Sequence, residues 1–383
     1  MKALVLGGCG VMGSSVARDL IKSDDITKVI LADKRIDMTK MPNSVRNSKK
    51  VSAQTIDVSD FQALVKLIKG SDVVVNCVGP FYKYAISIMK AAVEAGVNYL
   101  DIMDDYDTTI AAFKEMDKPA KNAGLSLCIG FGSSPGFGNI IVKYAADKLD
   151  EVDEVRILWL GAMNDPSGIG AMAHAFHCLK GEHPQYLDGK LVNVAGFDGE
   201  EEFDFGEPYG KCPVYYFGHP EPITIPRYIK GVKTVVNKGG FLPIWFNQLI
   251  KDLIARGFTE SEPILVDDAS IRPIDFVTAL IGKSPILRKQ VEKYTTAPFS
   301  AVIKGKERNQ AVTYTYSSGG GAMAAGTAIP ASICAQMLVR GDIKVKGVVA
   351  PEGCIDPKAF FGEFARRGFR LSETKTVTEE IKF

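Results

Sequence analysis

The sequence predicts an α/β protein: a doubly wound parallel sheet at the N-terminus, then a second α/β domain with a mostly antiparallel sheet. Three observations predict it. Short apolar runs alternate with amphipathic stretches up to about residue 130, a glycine turn follows the first run, and strand-like runs beyond residue 132 succeed one another with few helices between them. A chain of 383 residues exceeds one ordinary core. The predicted division is 1–131, 132–318 and a C-terminal helical return over 319–383 that packs on the first domain.

In chain order, the first strands are expected at 3–6, 28–32, 51–56, 72–76, 99–102 and 125–129. Between them, 11–22 places Val16, Ala17, Leu20 and Ile21 on one helical face, and 60–69 does the same with Leu64, Leu67 and Ile68. In the second domain, strands are expected at 155–160, 213–217, 223–226, 232–236, 299–304 and 310–316. The last two flank a five-residue polar connection, 305–309, suited to an antiparallel hairpin. Residues 242–256, 274–280, 322–339 and 357–367 read as helices. Thr327, Pro330, Ser332 and Gln336 interrupt the longest apolar stretch, which therefore reads as a buried helix and not a membrane span.

Lys plus Arg number 46 against 45 Asp plus Glu, so there is no basic footprint for nucleic acid or an anionic membrane, and a small molecule is the expected partner. Seven scattered cysteines, never in a CxxC pair, argue against a disulfide framework or a zinc site and fit a reducing, cytoplasmic setting. The apolar start leads straight into a strand and a glycine turn, and is read as fold and not as signal peptide.

Gly8-Cys9-Gly10-Val11-Met12-Gly13 is a GxGxxG that follows a strand and opens a helix. Gly8 permits the turn, Gly10 lets backbone approach a pyrophosphate, Gly13 allows close helix–strand packing, and the helix N-terminus faces the phosphates. Asp33 stands twenty residues after Gly13, where a carboxylate accepts hydrogen bonds from ribose hydroxyls. Together these predict a Rossmann domain holding NAD or NADP, with Asp33 favouring NAD and the adjacent Lys34 and Arg35 offering cations for a 2′-phosphate. Val78, Gly79 and Pro80, in the loop after the fourth strand, and Asp57, after the third, complete the expected cofactor set.

Candidates for the chemistry lie at the same sheet edge. Asp104 and Asp105 belong to a carboxylate cluster suited to proton transfer or to holding an ammonium group, while Asp107 before Thr108 and Thr109 reads as a helix N-cap. The glycine-rich junction 130–139 offers Ser134 and Asn139 for substrate or nicotinamide. Arg227 and His219 are candidates for gripping a substrate carboxylate. His174 and His177 stand three apart on a predicted helix, but no third ligand is recognisable and no metal is expected. No GxSxG nucleophile motif occurs, and hydride transfer needs none.

The chain resembles the saccharopine dehydrogenase-like family over nearly its whole length. The resemblance rests on GGCGVMG (7–13), VVVNCVGPFYKYAISIMKAAVEAGVNYLDIMDDYD (73–107), GFGSSPGFGNI (130–140), GHPEPITIPRYI (218–229) and VVAPEGCIDPKAFFGEFARRG (348–368). It implies NAD(P)-dependent oxidation of a carbon–nitrogen bond in an amino acid, opine or secondary amine, or the reverse, with the substrate between the domains. It also implies a homodimer or larger homo-oligomer, and adds Tyr82 and Lys83 as candidates in the loop after the fourth strand. Ser134 and Asn139 stand where saccharopine reductases carry an acid and a histidine, which points away from saccharopine itself. Two other readings compete. One is a reductase of a less polar carbonyl or enoyl substrate, encouraged by Trp245, Phe246 and the apolar stretch 241–250. The other is a sensor or scaffold that binds the dinucleotide without turning it over.

Overall fold

The structure, a computed structural model, describes residues 1–165 and 169–379. It divides into two units. The first comprises Met1–Lys148, Ile223–Lys230 and Ala324–Arg370; the second comprises Leu149–Pro222, Gly231–Met323 and the residues from Leu371 on.

The first unit is built on a seven-stranded, all-parallel sheet. Its strands are β1 (Lys2–Leu6), β2 (Lys28–Asp33), β3 (Val51–Thr55), β4 (Val73–Asn76), β5 (Asn98–Asp101), β6 (Ser126–Cys128) and a seventh, Gly347–Val349. Across the sheet the order is Gly347–Val349, β6, β5, β4, β1, β2, β3. Helices cover both faces, so β4 buries every residue, and a fully buried parallel strand reads as a continuous apolar run. Leu6 is in register with Ala32 and with Asn76, and Asn76 with Asp101, so the carboxyl ends of four strands form one level edge. The strand order reverses at β1 between β2 and β4, the place where open α/β sheets receive their ligands.

The C-terminal return is more than a helix. After Met323–Arg340 it contributes the seventh strand and the helix Pro357–Arg366. The buried carboxylate of Asp19, on helix α1 (Val11–Leu20), is compensated by Arg367 Nε at 2.9 Å and by the Ser332 hydroxyl at 2.7 Å, which ties the return to the first helix. No helix among the described residues is long and apolar enough to cross a membrane.

The second unit holds a nine-stranded mixed sheet. Glu151–Ala162 runs through its middle, parallel to Thr234–Leu242 and antiparallel to Ala297–Glu307, which turns back into Gln310–Gly321. Three expectations are corrected here. Residues 223–226, read as a strand from Ile223, Thr224 and Ile225, lie in the helix Glu221–Tyr228, where these three side chains are buried and tertiary packing outweighs β-propensity. The hairpin connection is two residues and not five: Glu307 pairs with Gln310, and Arg308 and Asn309 turn the chain with φ of 52° and 64°. Finally, the tail does not stay with the first domain, since Ser372–Thr378 pairs with Gln310–Gly321 at the edge of the second sheet.

Candidate functional site at the carboxyl edge of the parallel sheet

The turn after β1 leaves no room for side chains. Gly7 takes φ +69°, and a Cβ on it would lie 2.8 Å from the Cys77 carbonyl oxygen; a Cβ on Gly13 would overlap the Gly7 carbonyl oxygen. Gly10 sits at the N-cap of α1 and no side chain caps that helix, so the first turn, with Val11 and Met12, offers backbone N–H groups to an anion. Gly8 N–H is anchored to the Ala32 carbonyl at 3.1 Å. Asp33, at the tip of β2, accepts the Cys9 N–H at 3.1 Å, which fixes its carboxylate beside the glycine turn.

Lys34 and Asp57 do not face the turn as two independent groups. They form an exposed ion pair at 2.8 Å, and the hydrogen bond from Lys34, aided by the Ser59 N–H, pulls the Asp57 carboxyl down to about 2. Asp57, expected among the cofactor residues, thus serves first as the partner of Lys34. Arg35 is exposed, and its backbone N–H lies 3.4 Å from the Asp33 carboxylate.

A buried polar chain crosses the same edge, and sequence reasoning did not find it. The Asn76 side chain accepts the Val78 N–H at 2.9 Å and donates to the Tyr99 hydroxyl at 2.9 Å; Tyr99 donates to Asp101 at 2.8 Å. Asp101 also accepts the N–H groups of Gly130, at 2.7 Å, and Met103, at 3.2 Å. One line of side chains therefore ties down the loop carrying Val78, Gly79 and Pro80, the loop carrying Asp104 and Asp105, and the junction at 130. Burial pushes the Asp101 carboxyl up to about 7, against the lowering effect of the Gly130 and Tyr99 hydrogen bonds. The available signal was a polar residue closing an apolar run in both VVVN and NYLD.

Asp105 is buried and occupies the N-cap position of the helix Tyr106–Asn122, with its carboxylate accepting the Tyr82 N–H at 2.9 Å in the first turn of the helix Phe81–Ala95. The expected N-cap, Asp107, lies inside the first turn instead, where its carboxylate accepts the Thr108 N–H at 2.6 Å. Asp104 is half-buried, and Tyr82 and Lys83 are exposed, with the Lys83 ammonium 5.1 Å from the Tyr84 ring centre.

The junction residues divide in role. Ser134 is half-buried. Asn139, expected to meet substrate, is fully buried: its carbonyl accepts the Gly136 N–H at 2.9 Å, and its amide donates to Glu352 at 3.0 Å and Thr224 at 3.2 Å. That amide is spent on holding the junction to the C-terminal return. Arg227 stacks on Phe113, 4.1 Å from the ring centre, in the first unit. His219 belongs to the second unit, buried and stacked on Trp159 with ring centres 5.5 Å apart. His174 lies beside Cys178 and His219, with its Nε2 3.4 Å from Cys178 Sγ and from His219 Nε2.

Comparison with known proteins agrees with this architecture. The family model for the saccharopine dehydrogenase NADP binding domain matches residues 3–128, and that for the saccharopine dehydrogenase C-terminal domain matches residues 170–369. The chain belongs to the saccharopine dehydrogenase family. A carboxyaminopropylagmatine dehydrogenase from Synechocystis is 25% identical, covering 97% of this chain and 98% of its own length. A carboxynorspermidine synthase from Vibrio cholerae is 26% identical, covering 72% and 71% respectively. The apo saccharopine dehydrogenase (L-Glu forming) from Saccharomyces cerevisiae shares the fold, with a TM-score of 0.70 at 17% identity over 98% of this chain and 99% of the yeast chain. As a member of this family the chain is an NAD(P)-dependent dehydrogenase, and its residues fit a nicotinamide dinucleotide: a side-chain-free glycine cradle, an uncapped helix and an adjacent carboxylate.

Proposed function

We propose that this dehydrogenase acts on a secondary amine that joins a polyamine or amino-acid amine to a carboxylate-bearing carbon chain, oxidising its carbon–nitrogen bond or reducing the corresponding imine. The reading is carried by one observation: the buried chain Asn76–Tyr99–Asp101 holds a loop bearing two carboxylates at the same sheet edge as the glycine cradle. Carboxylates there complement an ammonium substrate. The relatives named for carboxyaminopropylagmatine and carboxynorspermidine support the substrate class.

Gly8, Gly10, Val11, Met12 and Gly13 hold the pyrophosphate, and Asp33 the adenosine ribose. The cofactor supplies the hydride donor or acceptor. Asp104 takes the proton from the substrate nitrogen as hydride leaves the adjacent carbon, and returns it in the reverse direction. Asp105, bonded to the Tyr82 N–H, holds that loop in place, while exposed Tyr82 and Lys83 flank the substrate. NAD is the preferred cofactor because the Asp33 carboxylate disfavours a 2′-phosphate, and Lys34 and Arg35 keep NADP usable. A cytoplasmic homodimer or larger homo-oligomer belongs to the same reading.

Of the apolar stretch that encouraged a less polar substrate, Phe241, Phe246 and Ile250 are buried in the core of the second unit, while Trp245 is exposed. The deciding assay follows nicotinamide absorbance with NAD and NADP against carboxyalkyl polyamines, saccharopine and lysine, in both directions. Amine-dependent turnover that falls at least a hundredfold in Asp104→Asn, within the ~10²–10⁴ range for loss of a general base, is the expected outcome. Tight dinucleotide binding with no turnover on any amine would overturn the proposal in favour of a sensor.

A further inference from the structure

We infer that His174, Cys178 and His219 form a binding site for a borderline-soft divalent metal ion such as zinc, with three protein ligands and a fourth position open to water or a small ligand. His174 and Cys178 stand four residues apart in the helix Ile169–Leu179, which puts them on one face. His219 lies in the connection that follows the strand Lys211–Tyr216. The donor atoms of all three lie within 4.8 Å of one another.

Two of the donor separations are close to those of a coordination sphere. With Zn–N bonds of about 2.0–2.1 Å and a Zn–S bond of about 2.3 Å, tetrahedral angles set neighbouring donors roughly 3.4–3.6 Å apart. Here the two Nε2 atoms are 3.4 Å apart, and Cys178 Sγ is 3.4 Å from His174 Nε2. The sulfur also lies 3.6 Å from His174 Nδ1, almost equidistant from the two ring nitrogens and therefore off the Nε2 lone-pair direction, so seating the ion requires a rotamer change that carries the thiol away from Nδ1.

The surroundings are organised around His219. Its ring stacks on Trp159, and its Nδ1 has the Asn237 amide at 3.4 Å and a Glu221 carboxylate oxygen at 3.5 Å. A carboxylate behind a ligating imidazole orients it and raises its basicity. The Gly218 N–H donates to the carbonyl of Cys178 itself at 3.1 Å, which pins the loop bearing one ligand to the residue that supplies another. Charge also balances, since a Cys178 thiolate and the fully buried Glu221 carboxylate together offset a dication. Spectroscopic metal binding needs neither substrate nor dinucleotide, so this site stands or falls independently of the proposed reaction.

The test is titration of metal-stripped, full-length protein with cobalt(II), followed by displacement with zinc(II). One equivalent should bind with the visible bands of tetrahedral cobalt and a near-ultraviolet thiolate charge-transfer band. Cys178→Ser should lose the charge-transfer band, His219→Ala should weaken binding at least a hundredfold, and Glu221→Gln should weaken it about 10- to 100-fold. His177→Ala, one turn away on the same helix, should bind like wild type. Failure of the wild-type protein to bind stoichiometric metal overturns the proposal whatever the variants do, leaving a hydrogen-bonded His–His–Cys cluster. Unchanged spectra in folded Cys178→Ser and His219→Ala, checked by circular dichroism, would overturn it equally.

Discussion

The two sheets assemble their polar groups in different ways. In the parallel sheet, the groups that matter sit at the ends of adjacent strands: Asp33 on β2, Asn76 on β4 and Asp101 on β5 are brought to one edge by register alone. In the mixed sheet, the polar cluster draws on a helix, a loop and two strands far apart in sequence, joining His174 and Cys178 with His219, Trp159 and Asn237. Repetition of one local unit makes the first arrangement regular. The second depends on tertiary packing at every step.

The buried titrating groups carry the same contrast in opposite senses. Asp101 is raised from 3.8 to about 7, chiefly by desolvation, so between those pH values the native carboxyl keeps a proton that the unfolded chain has lost. Stability from this group therefore falls as pH rises from 4 to 7, by on the order of 4 kcal/mol at about 1.4 kcal/mol per tenfold change in proton affinity. Asp101→Asn should flatten that part of the urea-denaturation profile; a variant that keeps the wild-type slope would show that the carboxyl stays ionised in the native state.

His183 in the second unit works the other way. Burial first, and the neighbouring His219 second, lower it from 6.5 to about 4, so the native imidazole stays neutral where the unfolded one is protonated. Stability is lost as pH falls from 6.5 to 4, by on the order of 3 kcal/mol, and His183→Gln should remove this acid sensitivity while leaving the profile above pH 7 unmoved. If both variants shift the same limb of the profile, the contrast between the units fails.

Smaller effects test the glycine cradle. Gly13→Ala places a methyl group against the Gly7 carbonyl, with no flexible neighbour to yield, and should cost about 1–3 kcal/mol of stability and more than tenfold in dinucleotide affinity, read by denaturation and by NADH fluorescence titration. Asp33→Ala should change preference more than affinity, raising kcat/KM for NADP relative to NAD by about tenfold, or ~1.4 kcal/mol. An unchanged ratio would assign cofactor choice to other residues.

Much of the first unit was legible before folding, because each signal is local. Apolar runs mark buried parallel strands, GxGxxG marks the turn between a strand and a helix, and Asp33 follows at a spacing set by one crossover. What eluded the sequence was partner identity over distance. The polar ends of VVVN and NYLD were visible, but nothing local shows that Asn76, Tyr99 and Asp101 share hydrogen bonds across two strands. Asn139 looked available to a ligand because the sequence does not reveal Glu352, 213 residues away, as its partner.

By itself, then, the sequence determined the α/β class, the parallel sheet, the dinucleotide cradle and the family, all of which rest on short-range periodicity or contiguous motifs. Tertiary structure alone decided that residues 221–228 form a helix, that Ser372–Thr378 joins the second sheet, that Asp105 braces the neighbouring helix, and that His174 meets Cys178 and His219. The physical reason is common to all four. Each depends on a partner distant in sequence, met through burial or hydrogen bonding, and the identity of that partner is written only in the folded chain.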